Sequence, residues 1–540
     1  MITHRTKLLQ AIAAGCVCAL LFFEGPLAKG DWTSFRNGGA SQSTSKLPMR
    51  WSATEGIAWQ KELIGYGQSC PVILGDEVFV TAVEGPMKDK CIIQCLDLNN
   101  GTEKWRVSID TAIKATSNYS ASRAAPTPLV DANAVYAFFE SGDFLAVDHS
   151  GKQLWHRNLT ADYVPFENNH GLGSSPAMSV EHLIVNIEHK GPSFVLALNK
   201  LTGLTAWKSE RPSSSSWSSP IVVTHAGKEQ VVVSSGGSVS AYDASTGNAL
   251  WDVNGFDGNS VPSPTLHGSS LLVGARLPEF ADENRSQSNC CIDLNKISGG
   301  LPTVAWRAEK VTSDYASPVV CGDCTYFISK ADILSCVDIA SGELLYSKRL
   351  GTQCWSTPVV AADLVYFFGK DGKTQIIRSG REFDVVASND LWDSASPPKP
   401  ETYVEGVRSL RSTSDNAISP PNQTGGANAT DGPNRTTGGR GGRGGGPGAG
   451  MLAGLASADK NGDGILTSDE IPPEVKPLLS RVDADGNGSL DQAEIRAMAD
   501  SFAARRSDSE TAARDPIVYG AVASNGKILI RTGTRLYCIQ

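Results

Sequence analysis

The amino-acid sequence predicts an all-β fold, an eight-bladed β-propeller closed by its N- and C-terminal strands, with a small α-helical loop pair inserted before the last blade. Three observations lead there. A strand, turn and aromatic unit recurs along the chain, fragments of a further unit stand at its two ends, and two acidic loops interrupt the series late. An internal period decides architecture before any local reading does.

The unit is seen in IIQCLDLNNGTEKW ending at Trp105, DFLAVDHSGKQLW at Trp155, FVLALNKLTGLTAW at Trp207 and SVSAYDASTGNALW at Trp251. Each is a short alternating strand, an Asp or Asn, a glycine turn and an aromatic residue. CCIDLNKISGGLPTVAW to Trp306 and ILSCVDIASGELLY to Tyr346 continue the series, and TQIIRSGREF to Phe383 is a degraded seventh copy. Upstream of each stands a small residue, a Pro and an apolar, mostly β-branched run, starting at Cys70, Thr127, Ser175, Ser219, Ser263, Ser317 and Thr357. Alternation bounded by turn residues reads as strand. Each unit is then four short strands, the size of a propeller blade.

The chain ends complete the count. Residues 516–540 supply GKILI and RLYCI, strands without an aromatic-bearing partner, whereas IAWQKEL around Trp59 is such a strand without a blade. Joining them closes the ring and removes the exposed edges that an open array leaves.

These copies resemble the repeat of the PQQ-like (pyrroloquinoline-quinone-type) β-propeller family. The opening DWTSFRNGG and the later LPMRWSATEGIAWQKELIGYGQSCPV are similar to the start of its exported members, and the resemblance spans roughly 31–393 and 515–540. It implies the propeller fold, with the repeated Trp docked between blades. It also raises a quinone-dependent oxidoreductase, since the quinoprotein dehydrogenases hold PQQ with calcium, acidic residues and a vicinal disulfide. Cys290-Cys291 is the pair to test, but Cys291 falls mid-strand in the slot that Ala fills elsewhere, which argues against a quinone role. One fold hosts many functions, so the resemblance assigns none by itself.

With 40% apolar and 19% charged residues over 540 positions, the chain has material for a large core. A net charge of −9 offers no general attraction to nucleic acid or anionic membrane. Residues 1–30 read as an export signal: His4, Arg5 and Lys7 precede an apolar run over 8–23, and Ala28-Lys29-Gly30 is a cleavage site before Asp31. That run contains Gln10 and Gly15 and falls short of the ~20 residues a spanning helix needs. No transmembrane span is expected after cleavage, and the mature protein is expected in the periplasm or outside the cell. Cys16 lies within the run rather than at its end, which disfavours lipidation.

Removing the leader residues Cys16 and Cys18 from the twelve cysteines leaves ten, an even number that in an exported chain suggests disulfides. The repeat argues otherwise for several. Cys95, Cys291, Cys336 and Cys538 occupy the slot of Ala146, Ala197 and Ala241, and Cys70 the small slot before Pro, so they read as core. A local Cys321–Cys324 bridge stays open. A lone CxxC lacks the second ligand pair of a structural zinc site.

Residues 394–450 change to Pro, Ser, Thr, Asn and Gly and end in GGRGGRGGGPGAG, which reads as a disordered linker. RGG repeats bind RNA in other settings, but an acidic exported chain makes a nucleic-acid partner unexpected. The linker leads to an EF-hand pair over 451–505, in which DKNGDGILTSDE (459–470) and DADGNGSLDQAE (483–494) match the calcium loop position by position. Calcium takes six to eight oxygens, and alternate loop positions turn theirs to one point. The ligands are Asp459, Asn461, Asp463, the Ile465 carbonyl, Thr467 and Glu470 in the first loop. In the second they are Asp483, Asp485, Asn487, the Ser489 carbonyl, Asp491 and Glu494. Gly464 and Gly488 stand where the loop turns sharply, and Leu466 and Leu490 where paired loops join through a short strand. Two Ca2+ sites are expected. Helical spacing is better around the second loop, at Val475, Leu478, Leu479, Val482 and Ile495, Met498, Ala499, Phe502, than around the first, where Pro472-Pro473 interrupts.

No HExxH, GxSxG or phosphate-cradling loop appears, and the eight histidines are scattered, so no catalytic residue is nominated. The loops entering successive blades carry Tyr66, Tyr119, His170, Trp217, Tyr315 and Trp355. Such loops gather at one mouth of the central channel, where aromatic rings either hold a ligand or plug the channel and pack between blades. The resulting expectation is an exported calcium-binding propeller that acts as a non-enzymatic scaffold for a protein partner. The alternatives are a PQQ-dependent oxidoreductase and a carbohydrate or small-molecule binder using the aromatic mouth.

Overall fold

The computed structural model describes residues 30–111, 113–115, 122–276, 288–403, 465–467, 470, 487–491, 494 and 513–540. Residues 1–29 of the expected leader (1–30), most of the linker and most of the EF-hand pair, its helices included, lie outside them. The rest is β-structure in eight sheets of four antiparallel strands, an eight-bladed propeller, and one sheet carries an extra parallel strand.

Blade 1 comprises Val72–Leu74, Glu77–Glu84, Lys90–Asp97 and Glu103–Asp110, and blades 2 to 6 repeat this order, ending at Asn158, Arg211, Asn254, Arg307 and Arg349. Blade 7 runs from Val359–Ala361 to Asp384–Asp390. Blade 8 joins Gly520–Ser524, Lys527–Arg531 and Arg535–Ile539 to Ile57–Glu62, which pairs antiparallel with Arg535–Ile539.

The repeated residues now have physical roles. The small slot lies directly across from the aromatic: Cys95 faces Trp105, Ala146 Trp155, Ala197 Trp207 and Ala241 Trp251. Cys291 faces Trp306, Cys336 Tyr346 and Cys538 Trp59. Cross-strand neighbours stand ~4.5–5.5 Å apart, so a large ring needs a small partner. Blade 7 inverts the sizes, with Ile376 opposite Ala387. This is why its copy looked degraded.

Each ring then docks on the next blade. Trp59, Trp105, Trp155, Trp207 and Trp306 donate their indole N–H to the carbonyls of Leu98, His149, Lys200, Ala244 and Ile339 at 2.7–3.0 Å. Their rings cover Gly101, Gly151, Gly203, Gly247 and Gly342, all at positive φ, with no room for a Cβ at four of them and a tight 3.0 Å at Gly151. Trp251 departs from the pattern and donates to Gln230 of its own blade, because the turn facing it in blade 5 is longer.

The small residue before Pro builds the inner rim. The backbone N–H groups of Cys70, Thr127, Ser175, Ser219, Ser263 and Ser317 each donate to the hydroxyl one blade on, from Thr127 round to Thr357, at 2.9–3.2 Å. Only Ser or Thr is small enough for this contact and still offers an acceptor. Apolar side chains fill the layers between blades, so the core is a ring of interfaces rather than one centre.

Residues 31–43 lie along the inner strands, a placement the sequence did not reveal. Trp32 exchanges two hydrogen bonds with Ile73, Thr33 accepts from Val130, and Arg36 donates to Pro264. Gln42 donates to Val320 and, with Ser43, pairs parallel with Val359–Ala361. The segment thus contacts blades 1, 2, 5, 6 and 7 in turn, and occupies the channel.

One expectation needs correction, and one alternative left open is resolved. The linker does not begin at Ser394, because residues 394–403 return to the propeller: Glu401–Thr402 pairs with Ala513–Arg514, and Glu401 and Tyr403 are buried. A bridge between Cys321 and Cys324 is not formed. They are cross-strand partners, but both carry free thiols, as do all ten described cysteines. Among the described residues no helix is long and apolar enough to cross a membrane.

Candidate functional site at the aromatic mouth

The loops entering the blades are tied to one another around one face. Gly67 donates to Gly533, Gln68 to Arg123, Ser122 to His170, and Trp217 to Ser260. This hydrogen bonding holds the rings that project there, and it sorts the predicted aromatic residues into two groups.

In the first group Tyr66 is pinned by two backbone bonds to Val83, and its hydroxyl lies 2.9 Å from that of Tyr519. The Arg123 guanidinium sits 4.6 Å from the Tyr66 ring centre and 4.8 Å from that of Tyr403, within cation–π range. Tyr66 is only 2% exposed. Burial, then the neighbouring Tyr519, pushes its phenol well above the usual value. Tyr66 therefore packs beneath the mouth rather than lining it. The rings continue outward through Tyr519 to Trp355 (6.4 Å) and Tyr315 (5.7 Å from Trp355), with the Lys370 ammonium 5.3 Å from the Trp355 ring. Tyr315 is the exposed end, at 44%.

The second group is His170 against Trp217, 5.7 Å apart, with the indole N–H on the Gly171 carbonyl at 2.9 Å. Tyr119 lies outside the described residues. Sequence reasoning missed Arg123, Lys370, Tyr403 and Tyr519. Blade 8 lacks the small-residue–Pro signal that locates these loops elsewhere, and Tyr403 was hidden in linker-like composition.

Of the calcium ligands, Ile465, Thr467, Glu470, Asn487, Ser489, Asp491 and Glu494 are described, and Asp459, Asn461, Asp463, Asp483 and Asp485 are not. Leu466 and Leu490 exchange two backbone hydrogen bonds of 2.9 Å and are buried, which joins the loops. At the end of each loop the glutamate folds back: Glu470 accepts from the Thr467 N–H at 3.2 Å and Glu494 from the Asp491 N–H at 3.0 Å. Gly488 adopts φ +79°. Among the described residues no three His, Cys, Asp or Glu side chains form a metal-ligating group.

Cys290-Cys291 does not form a vicinal disulfide facing the channel. Cys290 packs in the layer between blades 4 and 5 and Cys291 in that between blades 5 and 6, so their sulfurs lie on opposite faces of one strand. A vicinal disulfide over the channel would require breaking that strand.

A family model described as outer membrane protein assembly factor BamB matches residues 40–171 and 166–261, the part of the chain that holds blades 1 to 4. These blades carry the BamB-type repeat. The BamB assembly factor of Yersinia pestis is 23% identical over 304 residues, 54% of this chain and 71% of that protein. The BamB structure from Moraxella catarrhalis is 14% identical with a TM-score of 0.46, covering 62% of this chain and 91% of that one. A quinohemoprotein alcohol dehydrogenase from Comamonas testosteroni is 12% identical with a TM-score of 0.47, covering 70% of this chain and 76% of that one.

Proposed function

We propose that the chain is an exported propeller, closed by Ile57–Glu62, that acts as a non-enzymatic scaffold for protein contacts and binds two calcium ions in its inserted loop pair. The observation that carries this reading is the rim of Tyr315, Trp355 and Tyr519, with Lys370 over the Trp355 ring. Aromatic residues anchor protein interfaces because they bury large area with little loss of side-chain freedom, and a cation stacked on a ring adds to that. The match to an assembly-factor family over residues 40–261 supports a contact role. The joined loops at Leu466 and Leu490 support paired calcium sites.

The test is site-specific photo-crosslinking from positions 315 and 355 in the exporting cell, with and without a calcium chelator. Discrete protein adducts are expected, reduced by Tyr519→Ala combined with Lys370→Ala. A bound-quinone spectrum with dye reduction, after reconstitution with PQQ and calcium, overturns the reading.

A further inference from the structure

The far end of blades 3 and 4 carries an acidic pocket with an oriented histidine in its wall. Ala177–Met178 runs out from the mouth loops and turns at 179–181 into His182–Ile187, so this turn lies on the face opposite the mouth. With Lys228, Glu229 and residues 243–245 of blade 4 it borders a pocket of about 450 Å³, within the ~300–1,000 Å³ of ligand sites. His182 is 7% exposed, and its Nδ1 lies 3.1 Å from the Ala244 carbonyl, which also accepts from the Trp207 indole. A carbonyl only accepts, so Nδ1 carries the hydrogen, and in the neutral ring Nε2 keeps a bare lone pair. Nε2 makes no hydrogen bond and is not sealed from solvent, so it is an open acceptor in the pocket wall.

Three carboxylates share that wall. Asp243 spends Oδ1 on Ser245 and Thr246 and leaves Oδ2 unused. Glu229 spends Oε2 on the Val180 N–H, 3.1 Å away, and leaves Oε1, while the Glu181 carboxylate has no partner among the described residues. Lys228, the one cation in the wall, pairs with none of the three. A bare imidazole nitrogen among unused carboxylate oxygens calls for a cation that carries several N–H donors. Among the described residues no three of these groups close on a metal ion. The same spread suits the single nitrogen of an ammonium poorly, whereas a guanidinium sets out five N–H donors in a planar fork. We propose that this pocket binds a guanidinium group, its donors shared among His182 Nε2, Asp243 Oδ2 and Glu229 Oε1. Its aliphatic stem lies against Val180, which is 59% exposed at the rim.

This site is independent of the scaffold reading and of calcium. The test is calorimetric titration of the mature full-length protein with N-acetyl-arginine amide at constant ionic strength. Free L-arginine and the citrulline and lysine counterparts of the amide are titrated in parallel. Saturable one-to-one binding of the arginine amide is expected, about ten-fold or more weaker when Asp243→Asn is combined with Glu229→Gln. No binding of the uncharged citrulline amide is expected. Both substitutions keep the local hydrogen bonds: Asn199 caps the matching turn of blade 3 through its own Oδ1, and Gln at 229 still offers an oxygen to Val180. Tighter binding of the amide than of free L-arginine assigns the group to a side chain within a polypeptide, and the reverse order to a free small molecule. The proposal is overturned by absence of saturable heat in the unaltered protein, by unchanged affinity in the double variant, by equal binding of the citrulline amide, or by tighter binding of the lysine amide.

Discussion

Replacing Gly247 with Ala tests whether the repeated tryptophan and glycine act as one joint. A Cβ at Gly247 would lie 2.5 Å from Trp207 Cε3 and 2.6 Å from Cδ2, with φ at +74°. The ring cannot simply withdraw, because it is 8% exposed and its N–H is bound to the Ala244 carbonyl at 3.0 Å. The left-handed backbone costs Ala ~1–2 kcal/mol, offset by ~0.4–1 kcal/mol because Ala narrows the unfolded ensemble. Forcing a methyl into a packed site adds ~1–3 kcal/mol. Gly268 is the control, since it has φ +60° with nothing within 4 Å and carries only the backbone effect. Gly247→Ala is thus expected to lose ~2–4 kcal/mol and Gly268→Ala about 1, read as shifts in urea midpoint at constant slope. In a Trp207→Ala background the methyl has room, so Gly247→Ala should there cost only the backbone effect, a coupling of ~1–3 kcal/mol. Equal losses for Gly247→Ala and Gly268→Ala, or strict additivity with Trp207→Ala, would refute the joint.

Four further outcomes follow from the same geometry. Burial pushes the thiols of Cys70 and Cys291 up to about 11 and that of Cys290 to about 12. The folded protein should therefore react little with a thiol reagent at pH 8 and yield ten thiols per mature chain once unfolded, while fewer would reveal disulfides. Burial opposes the charge on Asp143, but hydrogen bonds from His156, Asn158, Ser141 and Thr111 outweigh it and hold the group below the usual carboxylate range. Its stabilisation is then complete above about pH 4 and lost as pH falls through the folded-state value; Asp143→Asn should flatten that acid limb and cost ~1–3 kcal/mol at pH 7. Trp59→Ala should cost ~3–5 kcal/mol, as a ring-closing core residue would; a loss under ~1 kcal/mol would mean that Ile57–Glu62 is not needed for closure. Chelation should raise protease sensitivity within the insertion and leave the β-signal of the propeller unchanged, and a cooperative loss of that signal would contradict the calcium reading.

The fold was legible because most blades state the same constraints. A small residue opposite a large ring, a glycine under that ring and a hydroxyl before Pro are local requirements, repeated at one spacing, so each copy checks the others. Blade 7 was the least legible because Ile376 and Ala387 exchange sizes across the strand pair, which preserves volume and erases the motif. The channel-filling segment was not legible at all. DWTSFRNGG has no period, and the hydrogen bonds of residues 31–43 reach backbone and side-chain groups of five blades, 317 residues away in the case of Ser41 and Pro358. The candidate mouth was half legible: Tyr315 and Trp355 stand in the repeating frame, whereas Arg123 and Tyr403 are recognisable only once folding stacks the cation between two rings.

The base of the insertion is what connects its loops to the rest of the molecule. The chain leaves blade 7, pairs Glu401–Thr402 with Ala513–Arg514, and so departs and returns at adjacent points. Glu401 accepts from the Thr532 hydroxyl and lies 3.7 Å from the Arg535 guanidinium, in the strand that pairs with Ile57–Glu62. Tyr403 stands edge-on to Tyr66 at 6.2 Å and shares Arg123 with it. The stem is therefore anchored in two places, one at the strand pair of blade 8 and one in the rings beneath the mouth. Tyr66 in turn meets Tyr519, whose ring stands 6.4 Å from that of Trp355, so the stem contacts are continuous with the rings of the rim.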